Sequence, residues 1–208
     1  MSELQQKGQT RALWISTFAF TVCFAVWTIF SIIGVQIKAA LGLNDTEFGL
    51  LIGTPILTGS LSRIFIGIWS DQYGGRLVYT GIMLLAAVAT WFLSFADSYI
   101  EFLIAALGVG ISGGSFAAGI AYVSKWYPKE KQGTALGIFG AGNVGAAVTK
   151  FCAPFVMVAM GWIAVAHIWA GVMFVTAILF WLTTEDDPDL VERRKKGEKP
   201  AAMWMQMK

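Results

Sequence analysis

The stretch GTPILTGSLSRIFIGIWSDQYGGR, residues 53–76, decides the class of fold. Up to Trp69 it holds a single charge, Arg63, among aliphatic, aromatic and small side chains, and it then turns polar at Asp71 and Arg76. A helix rising 1.5 Å per residue needs about 20 mostly apolar residues to cross about 30 Å of hydrocarbon. The window 48–69 meets that requirement, and it does so with a cation inside it.

Five further windows of the same kind flank it, at 13–37, 77–96, 100–126, 133–160 and 162–183. Composition agrees: 56% of residues are hydrophobic, 14% aromatic and only 13% charged, the signature of a chain that sits in lipid. The expected fold is an all-α integral membrane bundle of six transmembrane helices. The first window is too long and too aromatic for a cleaved leader and is read as a retained span. Cys23 and Cys152 fall inside windows as small apolar side chains, implying neither disulfide framework nor metal site.

Basic residues collect on one side of the windows. Lys7 and Arg11 precede the first, Arg76 joins the second and third, Lys125, Lys129 and Lys131 join the fourth and fifth, and Arg193, Arg194, Lys195, Lys196 and Lys199 follow the sixth. The other side carries Lys38 beside Asp45, Glu47, Asp97 and Glu101. Lysine and arginine near helix ends are retained in the cytoplasm, so both termini are expected there, in a multi-pass protein of the inner (plasma) membrane. The basic runs are topology signals and do not point to nucleic acid. Residues 1–12 read as a cytoplasmic segment, 13–184 as the bundle, and 185–208 as a cytoplasmic linker and tail. The linker, TEDDPDLVERRKKGEKP, is acidic and then basic with no apolar period; the end, AAMWMQMK, is too short to span a membrane.

No carboxylate lies in the interior of the windows, whereas Arg63 and Lys150 do. A charge at such depth costs about 2.5–3.5 kcal/mol on insertion scales unless it snorkels or is paired. Arg63, eight residues before Asp71, lies about 12 Å below the interface, and snorkelling recovers about half of that. Both cations must therefore face water, backbone carbonyls or an anionic ligand. Small residues recur at every fourth position, Gly133, Gly137, Ala141 and Gly145 in one window and Gly110, Gly114 and Ala118 in another, the spacing of close helix packing. In IFGAGNVGAAVTKF, Asn143, Ala147 and Lys150 share one helix face and form a candidate polar lining.

These residues carry a resemblance. GIWSDQYGGR resembles the loop between helices 2 and 3 of the major facilitator superfamily, with Gly67, Asp71, Gly74 and Arg76 at the family's positions and Gln72 and Gly75 in place of basic residues. SLSRIFIGIWSD, with GGSFAAGIAYVSKWYPKEKQGTALGIFGAGNVGAAVTKFCAP, is similar to the nitrate/nitrite porters of that superfamily. The resemblance implies transport of nitrate or nitrite by alternating access, as symport or exchange, with Arg63 binding the anion. Asn143, Gly142 and Gly145 then belong to the nitrate signature, Phe116 walls the site, and Lys150 is a proton-coupling candidate. Gly67, Asp71, Gly74 and Arg76 become gating residues. Such a fold has twelve helices in two bundles of three-helix inverted repeats, and this sequence supplies the first bundle. The expected partners are nitrate or nitrite, the bilayer and a second six-helix half, on a separate chain or in a missing C-terminal part; a homodimer would instead supply a second Arg63 by symmetry. Other readings are transport of another small anion, a homo-oligomeric channel and a non-transporting half-bundle. Enzyme chemistry has little support: His167 is the sole histidine, and the sequence calls for no metal and no cofactor.

Overall fold

In the computed structural model, residues 3–197 are described and they are helical, joined by short turns. Lys199 and the AAMWMQMK tail lie outside the described residues.

The first crossing starts earlier than its apolar window and is broken once, into α1 (Glu3–Trp27) and α2 (Phe30–Leu41). At the break the backbone switches to the tighter i→i−3 pattern, Ser31 N–H to the Thr28 carbonyl and Ile32 N–H to the Ile29 carbonyl, both 3.0 Å. The Thr28 hydroxyl donates back to the Phe24 carbonyl at 3.0 Å, a local bond that competes with the helix ladder. The second crossing is α3 (Asp45–Tyr73), opened by a capping box in which Asn44 and Glu47 satisfy each other's backbone N–H groups. The third is α4 (Gly75–Phe92) with a closing turn at Leu93–Phe95. The fourth, capped by Ser98 and Glu101, comprises α5 (Tyr99–Gly110) and α6 (Ser115–Trp126) across a 3₁₀ turn at Ile111–Gly114.

The fifth crossing begins with α7 (Lys129–Gly140), passes through a 3₁₀ turn at Ala141–Val144 and continues into α8 (Gly145–Thr183). Continuous helix from 129 to 183 would be far too long for one crossing. Gly161 reverses the chain with φ 82° and ψ 170°, a conformation that favours glycine. The proof is a hydrogen bond of 2.8 Å from the Trp169 indole to the Thr149 hydroxyl, between residues that 20 positions of straight helix would hold about 30 Å apart. Five apolar helical stretches therefore make six crossings.

Phe20, Val26, Ile29 and Ile33 of the first crossing are fully buried, with Tyr79 and Met83 of α4, Tyr122 of α6, Phe139 of α7 and Phe180 of α8. Backbone-directed bonds tie the crossings together: Tyr79 to the Ser16 carbonyl at 3.2 Å and Thr149 to the Ala25 carbonyl at 2.6 Å. The outside is as apolar as the inside, with Phe151 71%, Val158 86% and Leu182 72% exposed, as a surface bathed in lipid requires. The fourth-crossing glycine ridge is closed against α3: a β-carbon on Gly110 would lie 2.7 Å from Thr58, and one on Gly114 2.2 Å from Ile66. The fifth-crossing ridge is only partly used, because Gly133 and Gly137 face open space while Gly145 meets α1.

The segment after Thr184 differs from the solvated linker read from its composition. It forms α9 (Pro188–Lys196), with Asp187 accepting from the Leu190 N–H at 2.9 Å as N-cap, Pro188 in the first turn and Gly197 in the left-handed conformation at the end. Leu190, 5% exposed, docks the helix on the bundle. A β-carbon at Gly74 would lie 2.4 Å from the Leu190 side chain.

Candidate functional site

Arg63 projects from the middle of α3 and is half-buried. Its Nε donates to the Gly113 carbonyl at 3.1 Å, in the 3₁₀ turn of the fourth crossing. The guanidinium carbon lies 5.4 Å from the ring centre of Trp27 and 5.6 Å from that of Phe116, within cation–π range of both. Among the described residues no carboxylate pairs with Arg63, and its two terminal nitrogens find no protein acceptor. The cation is thus fixed by one carbonyl and two aromatic faces, and a fork of donors that suits two oxygens at once is left over.

Phe116, half-buried on α6, belongs to an aromatic cluster with Phe20 at 5.6 Å and Phe139 at 6.2 Å; Phe20 and Phe139 stack at 4.8 Å. The structure therefore brings Arg63 and Phe116 together. Asn143 is exposed on the turn that follows α7, and its Nδ2 donates to the Gly140 carbonyl at 2.8 Å; no hydrogen bond links it to Arg63 among the described residues. Lys150 and Ala147 are exposed on the same side of the fifth crossing, as the shared face requires. Gly142 and Gly145 point the other way: β-carbons there would lie 2.5 Å from the Phe20 ring and 1.9 Å from the Thr21 carbonyl oxygen. Their shown role is to seat the fifth crossing against α1.

The loop residues form a separate charged joint at the end of the bundle where α1 begins and α9 docks. Asp71 pairs with Lys125 at 2.9 Å, and its backbone carbonyl accepts from Arg193 of α9 at 2.7 Å. Arg76 donates to the Trp181 carbonyl at 2.6 Å, lies 4.1 Å from the Trp181 ring centre and stands 3.7 Å from Asp186, which also pairs with Arg194 at 2.8 Å. Gly74, at φ 98°, makes the room for α9. Gly67 has open space around its α-carbon. Tyr122 donates to the Glu185 carbonyl at 2.6 Å, and Arg11 pairs with the Glu185 carboxylate. Lys125 was legible in the sequence only as a topology marker. Tyr122 and Trp27 carried no signal that set them apart from other aromatics.

A helical bundle of this topology has known counterparts. Residues 15–208 match the Major Facilitator Superfamily. The chain belongs to that family. Its members are transporters and not enzymes, and this member is an integral multi-pass membrane protein. It is 40% identical over 194 residues to the probable nitrate/nitrite antiporter NarK1 of Thermus thermophilus, covering 88% of this chain and 44% of that one. The nitrite extrusion protein of Bacillus subtilis is 34% identical over 165 residues, covering 79% and 42%. The fold is that of a bacterial homolog of the human lysosomal transporter Spinster in its inward-facing conformation, at TM-score 0.77 and 22% identity over 90% of this chain and 45% of that one. The proton:xylose symporter XylE gives TM-score 0.73 at 12% identity, covering 92% and 48%. The chain spans about half the length of the curated relatives it matches, 44% and 42% of the two named above.

Proposed function

We propose that this major facilitator chain supplies the N-terminal bundle of a nitrate/nitrite transporter that works by alternating access. The observation that carries this reading is the state of Arg63: half-buried, held by a carbonyl and two rings, and without a carboxylate partner among the described residues. A cation so placed calls for an anion, and a planar oxyanion offers the guanidinium two oxygens in one plane. The names of its relatives supply the choice of nitrate or nitrite. Phe116 forms a wall of the site, and Asn143 contributes to anion binding from the fifth crossing. Gly142 and Gly145 hold that crossing close behind the site, and Lys150, on the exposed side, carries proton coupling. The site opens toward a second six-helix half that contributes the remaining anion ligands. Both termini lie in the cytoplasm, so the joint of Gly67, Asp71, Gly74 and Arg76 sits at the cytoplasmic mouth and acts in gating.

The test is nitrate uptake by the chain paired with a second bundle, comparing Arg63→Lys with the unaltered chain at matched membrane levels. Lysine keeps the charge but not the planar fork. A desolvated charged hydrogen bond is worth about 1.5–3 kcal/mol, so affinity should fall roughly 10- to 150-fold while insertion is kept. Unchanged affinity would remove Arg63 from the site.

A further inference from the structure

We propose that Trp27, a residue without an assigned role, is a positioning residue for the Arg63 guanidinium, and that Gly59 and Gly113 exist to seat it. The proposal rests on the anion-site reading above and adds the device that aims the cation.

The indole is fixed along its pyrrole edge by two crossings. Its Nε1–H donates to the Pro55 carbonyl at 2.8 Å, next to the point where proline removes a backbone donor from α3. One turn later, a β-carbon on Gly59 would lie 2.8 Å from that same indole nitrogen. From the fourth crossing, a β-carbon on Gly113 would lie 2.7 Å from Trp27 Cε2 and 3.0 Å from the Gly59 α-carbon. The ring therefore lies in a slot whose floor is two bare glycine backbones, where any side chain would evict it. Phe24 closes the slot edge-on at 5.0 Å.

Arg63 follows Gly59 by one helical turn, which carries its side chain along the same face of α3 as the slot. The Gly113 residue that floors the slot also presents the carbonyl that takes Arg63 Nε–H at 3.1 Å. Indole, carbonyl and guanidinium thus share one support, and Phe116 bounds the cation at 5.6 Å. With Nε held by the carbonyl and the cation held against the two rings, rotation about the last side-chain bonds is restricted. The terminal nitrogens then keep one direction, which reduces what an incoming oxyanion must order on binding.

The decisive experiment keeps the shape of the ring and drains its π-electrons, by site-specific incorporation of mono-, di- and trifluorotryptophan at position 27. Two quantities are measured: the rate at which phenylglyoxal modifies Arg63 in the purified chain, and KM and kcat for nitrate uptake when the chain is paired with a second bundle. The series should raise the modification rate stepwise, because the reagent attacks the uncharged guanidine that a π face disfavours. It should also raise KM by about 10-fold at three fluorines, with kcat and membrane level unchanged. Trp27→Leu should match the far end of the series, and Trp27→Phe, which restores a π face, should return KM to within about threefold. A flat modification rate and a flat KM across the series would overturn the proposal, even where Arg63→Lys abolishes nitrate affinity. Stepwise modification of Arg63 in a chain whose Arg63→Lys variant transports nitrate normally would uphold the positioning and remove the anion site instead.

Discussion

A β-carbon at Gly145 would lie 1.9 Å from the Thr21 carbonyl oxygen and 2.8 Å from the Ala25 nitrogen, so here two backbones touch. Alanine must push the first and fifth crossings apart, and forced overpacking costs about 1–3 kcal/mol. Gly137 has nothing within 4 Å of its β-position, and alanine there gains up to about 1 kcal/mol of helix propensity. Thermal unfolding of the isolated chain in detergent should therefore rank Gly145→Ala below the unaltered chain and Gly137→Ala level with it or above. The reverse order would contradict the packing described. Both glycines lie on one four-residue spacing, which announces a ridge but cannot say which members meet a neighbour. Arg63 was legible for the opposite reason, because a charge within an apolar window demands an explanation whatever its neighbours are. The same rule singled out Lys150, which is exposed on the bundle's side. Trp27 was not legible, since one indole among nine has nothing in its sequence context to mark it.

At the scale of elements, the six crossings follow from apolar windows bounded by charge, glycine and proline, and Gly161 marks the last reversal. The interruptions at Thr28, Ile111–Gly114 and Ala141–Val144 were hidden, because apolar periodicity over a few residues does not separate a 3₁₀ turn from an α-turn. α9 was hidden by its charge. Its capping signals, Asp187, Pro188 and Gly197, stand in the sequence, yet the helix offers one buried apolar anchor, Leu190, where an amphipathic pattern needs several. That dependence makes a prediction. Leu190→Asp should release α9 from Gly74, and trypsin should then cut after Arg193 and Arg194 several-fold faster than in the unaltered chain. Asp186→Asn should act in the same direction but less, because it removes charge from pairs that are partly exposed. Equal cleavage rates in all three proteins would mean that neither contact holds the helix.

For the whole molecule, α3 is a sparsely covered crossing: 22% of its apolar window is buried, against 44–56% for the windows of the other helical stretches. It also carries Arg63, so the cation lies on a face of the bundle with few neighbours. In the proposed transporter, a second bundle on that side would complete the site and bury the crossing together. Orientation has its own test in a chain cleared of Cys23 and Cys152: a cysteine at Gly161 should react with an impermeant reagent in intact cells and one at Lys199 should not. Labelling at 199 alone would invert the assignment. The most direct measurement of the central claim is the flux of isotopically labelled nitrate into proteoliposomes holding the chain alone, the chain with a second six-helix bundle, or that pair carrying Arg63→Lys. The account predicts saturable uptake by the pair alone, with its nitrate affinity reduced roughly 10- to 150-fold by the substitution. Robust uptake by the monomeric chain alone, or uptake by the pair whose affinity is indifferent to Arg63→Lys, would contradict it.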